Sequence, residues 1–187
     1  MSLEVNGGEY YAVGNHDPKY AKKAPPNIAQ DVSDIFDSVI EETERESLIL
    51  ARIGQGKFRR NVIDAWGNGE CCALTLTPVR EVLIASHIVP WSKCDNNEQR
   101  LDGANGILLC AHIDKLFDAH LLTFLKQGSK FVAKLSPKLD PSLLRGLGIE
   151  AGYELCVDNL STAYRERFEK YMMQHNTHFK QKSASLK

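Results

Sequence analysis

A chain of 187 residues, with 43% apolar and 25% charged side chains, holds enough material for one globular core but not for two large independent ones. No stretch approaches the ~20 apolar residues that span a bilayer, which excludes membrane-spanning roles. The formal net charge of −1 denies the chain the overall basic character of many nucleic-acid binders, so any such role must rest on local charge. Five irregularly spaced cysteines (Cys71, Cys72, Cys94, Cys110, Cys156), none in a CxxC pair, argue for reduced thiols rather than a disulfide framework. With no secretory pattern at the amino end, a cytoplasmic location is expected.

Residues 1–30 carry Gly7-Gly8, Gly14, Pro18 and Pro25-Pro26 with few periodic apolar positions. They read as an extended, loosely attached arm in which His16 is a surface histidine. From 31 to 53, Val32, Ile35, Phe36, Val39, Ile40, Leu48, Ile49 and Ile53 recur at helical spacing, giving an amphipathic helix with an acidic outer face from Asp31 to Glu46. That face reads as a solvated surface before it reads as a partner-binding one. Gly54-Gln55-Gly56 is expected to reset the chain before a second short helix, marked by Phe58, Val62, Ala65 and Trp66 and ended by Gly67-Asn68-Gly69. Arg59 and Arg60 near its start suit phosphate contacts, because a guanidinium fork can donate two hydrogen bonds to one phosphate, although plain solvent exposure explains them equally.

Cys71 to Leu76 and Glu81 to Ile88 are β-prone and read as a hairpin, with Pro90 leaving His87 at the rim of the second strand. Trp91 to Ala104 is a polar loop of the length that compact domains reserve for function or disorder. Within it, Arg100 could hold a phosphate or pair with Asp102. Asn105-Gly106 turns into the strand Ile107-Leu108-Leu109, and Ala111 to Ala119 follows as a helix that puts Asp114 and Asp118 one turn apart on one face. Leu121 to Phe124 and Lys130 to Leu135 read as strands around a Gln127-Gly128-Ser129 turn. Short and long helices are expected at Ser142 to Leu147 and Thr162 to Phe179.

His87, Asn105 and Asp114 stand where apolar periodicity calls for core residues, and together they suggest a chemistry. Hydrolysis of a phosphodiester needs a base to activate water and a cation to stabilise the phosphorane and the leaving oxygen. A histidine titrating near neutrality suits the first task, and a hard carboxylate holding Mg²⁺ or Mn²⁺ suits the second. SHIVPW, then RLDGANGILL, then CAHIDKLFDAHLLTF resembles the HNH endonuclease family, specifically its restriction-type branch. The resemblance implies a ββα-metal unit in which His87 is the general base and Asn105 braces its loop. It further implies that Asp114 ligates one divalent metal, with His112 and Asp118 as helpers. Ser86 stands where many relatives carry a second metal ligand. Cys71, Cys72 and Cys110 could approach one another, but no clean fourth ligand accompanies them, so a structural zinc is not expected.

The fold expected is α+β: a small ββα-metal core with additional short strands, flanked by N- and C-terminal helices. Its organisation is expected as an arm (1–30), an acidic helix (31–53), a nuclease core (54–135) and a helical extension packing on the core (136–187). The function expected is metal-dependent hydrolysis of DNA, with a homodimer as the symmetric route to double-strand cleavage. The alternatives are an RNase, or a nucleic-acid-binding module that keeps the fold and lacks the chemistry.

Overall fold

The computed structural model describes residues 3–6, 9–12, 33 and 42–184, and the fold is α+β. Most of the expected arm and the first half of the acidic helix lie outside the described residues. Within the arm, β1 (Leu3–Asn6) and β2 (Glu9–Ala12) pair antiparallel, with Val5 opposite Tyr10, so this part is a hairpin rather than extended chain.

The expected reset at Gly54-Gln55-Gly56 does not occur. A single helix, α1, runs Glu42–Trp66 through both glycines. Each glycine costs a helix interior about 1 kcal/mol relative to alanine, but the four-residue spacing of Gly54, Phe58, Val62 and Trp66 carries one continuous packing stripe along the helix. Gly54 belongs to that stripe for lack of a side chain: a Cβ there would sit 3.1 Å from Cη2 of Trp91. The helix stops at Gly67, whose φ of +62° and N–H bond to the Ile63 carbonyl give a left-handed C-terminal cap.

The expected hairpin of Cys71–Leu76 with Glu81–Ile88 is also not formed. Leu76 has φ +57°, which no strand residue adopts, and residues 72–77 close on themselves through Cys72 N–H to the Thr77 carbonyl. The strand β3 (Leu83–His87) pairs instead with β4 (Gly106–Cys110), antiparallel, with Ser86 opposite Ile107 and His87 opposite Gly106. Between them the polar segment is more ordered than a loop. It contains a short helix, α2 (Asn97–Leu101), capped by the Asn96 side chain on Gln99 N–H, and a 3-10 turn (Gly103–Asn105) capped by Asp102 on Ala104 N–H.

Helix α3 (Ala111–Asp118) follows β4 directly and completes the ββα unit, turning Ile113, Asp114 and Phe117 inward. A second antiparallel pair, β5 (Leu122–Gln127) and β6 (Lys130–Leu135), then a one-turn helix α4 (Pro141–Arg145) and the long helix α5 (Thr162–Ala184) close the core. Phe168, Met172, His175 and Phe179 form the buried stripe of α5, and Phe168 meets Trp66 edge-on with centroids 5.3 Å apart. Burial of each such aromatic contributes about 2–3 kcal/mol. Among the described residues no helix is long and apolar enough to cross a membrane.

His175 ties α5 to the end of α3. Its Nε2 lies 3.0 Å from the Phe117 carbonyl and 3.0 Å from His120 Nδ1, and its Nδ1 lies 2.9 Å from the Thr123 hydroxyl. Burial pushes its pKa down to about 4, and the neighbouring His120 and His178 add to the effect against the Phe117 carbonyl. The unfolded chain therefore takes up this proton first, near pH 6.5. Stability is complete above that pH and is lost as pH falls toward about 4, by about 3 kcal/mol in all. Thermal melts from pH 7 to pH 4 should show wild type losing that much relative to His175→Gln. A gap that stays constant across the range refutes the assignment.

Candidate active site

Two of the three residues singled out by their polarity in apolar surroundings, His87 and Asp114, line one cleft of about 530 Å³, between β3 and α3. Its walls include Ser86, His87, Trp91, Asp114, Lys115 and Asp118. The β3–β4 pairing delivers Ser86 and His87 from one side, and the first and last turns of α3 deliver the two carboxylates from the other.

His87 is held on three sides. Its ring stacks on Phe58 with centroids 3.5 Å apart and planes 10° from parallel, and Trp91 meets it edge-on at 5.7 Å. Its Nε2 lies 2.9 Å from the main-chain carbonyl of Arg100. A carbonyl only accepts, so Nε2 carries the hydrogen and Nδ1 is left with the lone pair. Burial lowers the histidine's pKa below its ordinary 6.5, outweighing the opposing Arg100 carbonyl. At neutral pH the ring is a neutral imidazole in one tautomer, the form a general base requires.

Asn105 is fully buried and its amide is saturated by main chain. Its Oδ1 accepts from Val89 N–H at 2.9 Å, and its Nδ2 donates to the Gln99 carbonyl at 3.1 Å and to the Val89 carbonyl at 3.3 Å. One side chain thus joins the chain leaving β3 to helix α2. It does not reach into the cleft, and its effect on His87 passes through the segment that carries the Arg100 carbonyl.

Asp114 is 3% exposed, yet no group among the described residues donates a hydrogen bond to its carboxylate. Buried carboxylates are rarely left without a cation or donors. Asp118, at the cleft rim, has its pKa raised by partial burial and then by the charge of Asp114, with Lys115 and Ser86 acting weakly the other way. The Ser86 hydroxyl is buried and has no partner of sound hydrogen-bond geometry, although it lies near enough to the Asp118 carboxylate to favour its anion. Two carboxylates and a hydroxyl on one cleft are hard oxygen donors, a set that fits Mg²⁺ or Mn²⁺ completed by water. Among the described residues no three His, Cys, Asp or Glu side chains converge into a fuller metal cluster, and the five cysteines are free thiols.

His112 is exposed and outside the cleft, two residues and so about 200° around the helix from Asp114. Arg59 is used internally: its Nε and Nη2 bind Glu70 at 3.1 and 2.7 Å, and its Nη1 donates to the Leu83 carbonyl at 2.6 Å. Arg60 is exposed. Arg100 does not pair with Asp102. Its guanidinium lies over the Trp91 ring at 5.7 Å and donates to Asn97, while Asp102 pairs with Arg167. Sequence reasoning overlooked Phe58 and Trp91 as walls of the histidine, and Gly54 as the seat of Trp91. The four-residue spacing of 54, 58 and 62 was the available signal, hidden by the glycine pair.

Two antiparallel strands and a helix, with a histidine and two carboxylates lining one cleft, define a ββα unit. Residues 72–125 match the family model described as HNH endonuclease, and this segment, under a third of the chain, belongs to the HNH endonuclease family. HNH endonucleases act on DNA and in general use a divalent metal. No curated protein matches the chain.

Proposed function

We propose that the protein is a metal-dependent DNA endonuclease that hydrolyses phosphodiester bonds at the β3–α3 cleft. The observation that carries this reading is the shared cleft of His87, Asp114 and Asp118. His87 accepts a proton at Nδ1 from the attacking water, and the Arg100 carbonyl stabilises the imidazolium through Nε2–H. Asp114 and Asp118, with Ser86 beside them, would hold one Mg²⁺ or Mn²⁺. Such an ion supplies charge stabilisation for the pentacovalent phosphate and the departing 3′-oxygen. Lys115 on the cleft wall, Arg100 over the Trp91 ring of that wall and the exposed Arg60 offer cationic contacts to the strand.

Supercoiled plasmid incubated with the protein in Mg²⁺ or Mn²⁺ is expected to be nicked, and EDTA is expected to stop nicking completely. Asp114→Asn should need a much higher metal concentration for whatever activity it retains. Nicking that persists in EDTA, or that is indifferent to Asp114→Asn, would overturn the reading. Cleavage of a structured RNA but not of plasmid would move the substrate from DNA to RNA.

A further inference from the structure

Four consecutive residues connect His87 to helix α5, and each is pinned by a different group. The Gln99 carbonyl accepts from Asn105 Nδ2 at 3.1 Å, the Arg100 carbonyl is 2.9 Å from His87 Nε2, and the Leu101 carbonyl accepts from Asn61 Nδ2 of α1 at 2.7 Å. The fourth, Asp102, is held by α5, outside the family segment. Arg167 donates to both its oxygens, Nε to Oδ2 at 2.8 Å and Nη2 to Oδ1 at 3.1 Å, and the Tyr171 hydroxyl donates to Oδ2 at 3.1 Å. The same carboxylate accepts Ala104 N–H at 3.0 Å, and the Asp102 carbonyl accepts Asn105 N–H at 2.9 Å. Burial alone would raise the pKa of Asp102, but the bonds from Arg167, Ala104 and Tyr171 outweigh it and hold the group ionised.

Arg167 and Tyr171 stand one helical turn apart on α5, and Arg167 is further braced over the Tyr164 ring at 4.7 Å. A bidentate guanidinium fixes both position and plane of a carboxylate, which an isolated surface ion pair does not. One residue, Leu101, separates that carboxylate from the carbonyl that orients His87, so a shift at one end is transmitted to the other. We propose that Arg167 and Tyr171, acting through Asp102, are positioning residues that place the Arg100 carbonyl and so fix the tautomer and orientation of His87. The proposal rests on the reading of His87 as the base only for its kinetic consequence. The geometric consequence stands apart from it.

The test is ¹⁵N NMR of histidine-labelled protein, with the His87 signals assigned by their loss in His87→Ala, alongside Mn²⁺-dependent nicking. Wild type should show His87 in the Nε2–H tautomer. Arg167→Ala should mix the tautomers and lower kcat by about 10- to 100-fold with KM within twofold, the scale of a slightly misplaced catalytic group. Arg167→Lys should fail to restore either readout, because an ammonium cannot make two parallel bonds. Lys126→Ala, which breaks the separate ion pair of α5 residue Glu169, should leave both unchanged. If Arg167→Ala does not fold, Tyr171→Phe, which loses one hydroxyl, carries the same test with a few-fold effect. A folded variant with the wild-type tautomer and wild-type kcat overturns the proposal. A tautomer that moves in a protein without nuclease activity sustains the proposal and sinks the nuclease reading. Nuclease activity with an unmoved tautomer does the reverse.

Discussion

Replacing His87 by alanine is expected to lower nicking by about 10²- to 10⁴-fold, the range that a positioned general base contributes, while leaving DNA binding intact. The loss should lie in kcat, since nothing in the ring's contacts makes it a ligand for the strand: one face is covered by Phe58 and Nε2 is engaged by Arg100. The pH profile distinguishes loss of a base from loss of structure. Burial lowers the pKa of His87, so the neutral, active form should persist below pH 6.5 and the acid limb of the wild-type profile should fall on the acid side of that value. Phe58→Leu, which removes the stacked ring and admits water, should move that limb back toward 6.5. An acid limb unmoved by Phe58→Leu, or a His87→Ala protein that nicks at the wild-type rate, would remove His87 from the chemistry.

The three polar residues that interrupt apolar runs were legible because polarity at a buried position is costly and so calls for a reason. The structure gives each one a geometry: His87 and Asp114 face one cleft, and Asn105 is saturated by the main chain on either side of it. The ββα order was legible from local pattern too, since β4 is a short apolar run buried at every position and α3 turns Ile113, Asp114 and Phe117 inward at helical spacing. Misreadings arose where a distant contact overrode a local preference. Gly54 looks like a helix stop when its neighbours in sequence are considered, and becomes a seat for Trp91 when a residue 37 positions later is folded onto it. Cys71 to Leu76 is β-prone in composition, but the left-handed Leu76 folds it into a turn whose Ala73 N–H donates a single bond to the Leu108 carbonyl.

The clamp on Asp102 was illegible for a stronger reason. Arg167 and Tyr171 are 65 and 69 residues away, and nothing in their local pattern separates them from other polar positions of an amphipathic helix. The family segment therefore carries the cleft residues but only part of what holds them in place. Phe58, Asn61 and Trp66 of α1 and Arg167 and Tyr171 of α5 all bind the segment from outside, Trp66 through Nε1–H to the Gly106 carbonyl at 2.8 Å. Activity should thus be sensitive to the seam between α1 and the Asp102–Gly106 turn.

Gly103→Ala tests that seam most severely. A Cβ at position 103 would lie 2.1 Å from the Asn61 carbonyl oxygen, 2.7 Å from its carbon and 2.8 Å from the Ala65 Cβ, all on α1. Two of the three are helix backbone, which cannot rotate aside, so the turn must lift off the helix. Overpacking of this kind costs about 3 kcal/mol. Gly128 supplies the contrast: it has φ +62° but open space around it, so alanine there costs only the left-handed strain, about 1 kcal/mol. Chemical denaturation should therefore rank Gly103→Ala well below Gly128→Ala in stability, although only the second violates a backbone preference. The displacement also loosens Asn61 from the Leu101 carbonyl, next to the one that holds His87. Any folded fraction of Gly103→Ala should nick far more slowly than its folded population predicts, whereas Gly128→Ala, in the β5–β6 turn, should nick in proportion to that population. Equal stabilities for the two variants, or wild-type turnover per folded Gly103→Ala molecule, would show that the close approach of turn and helix does not govern the site.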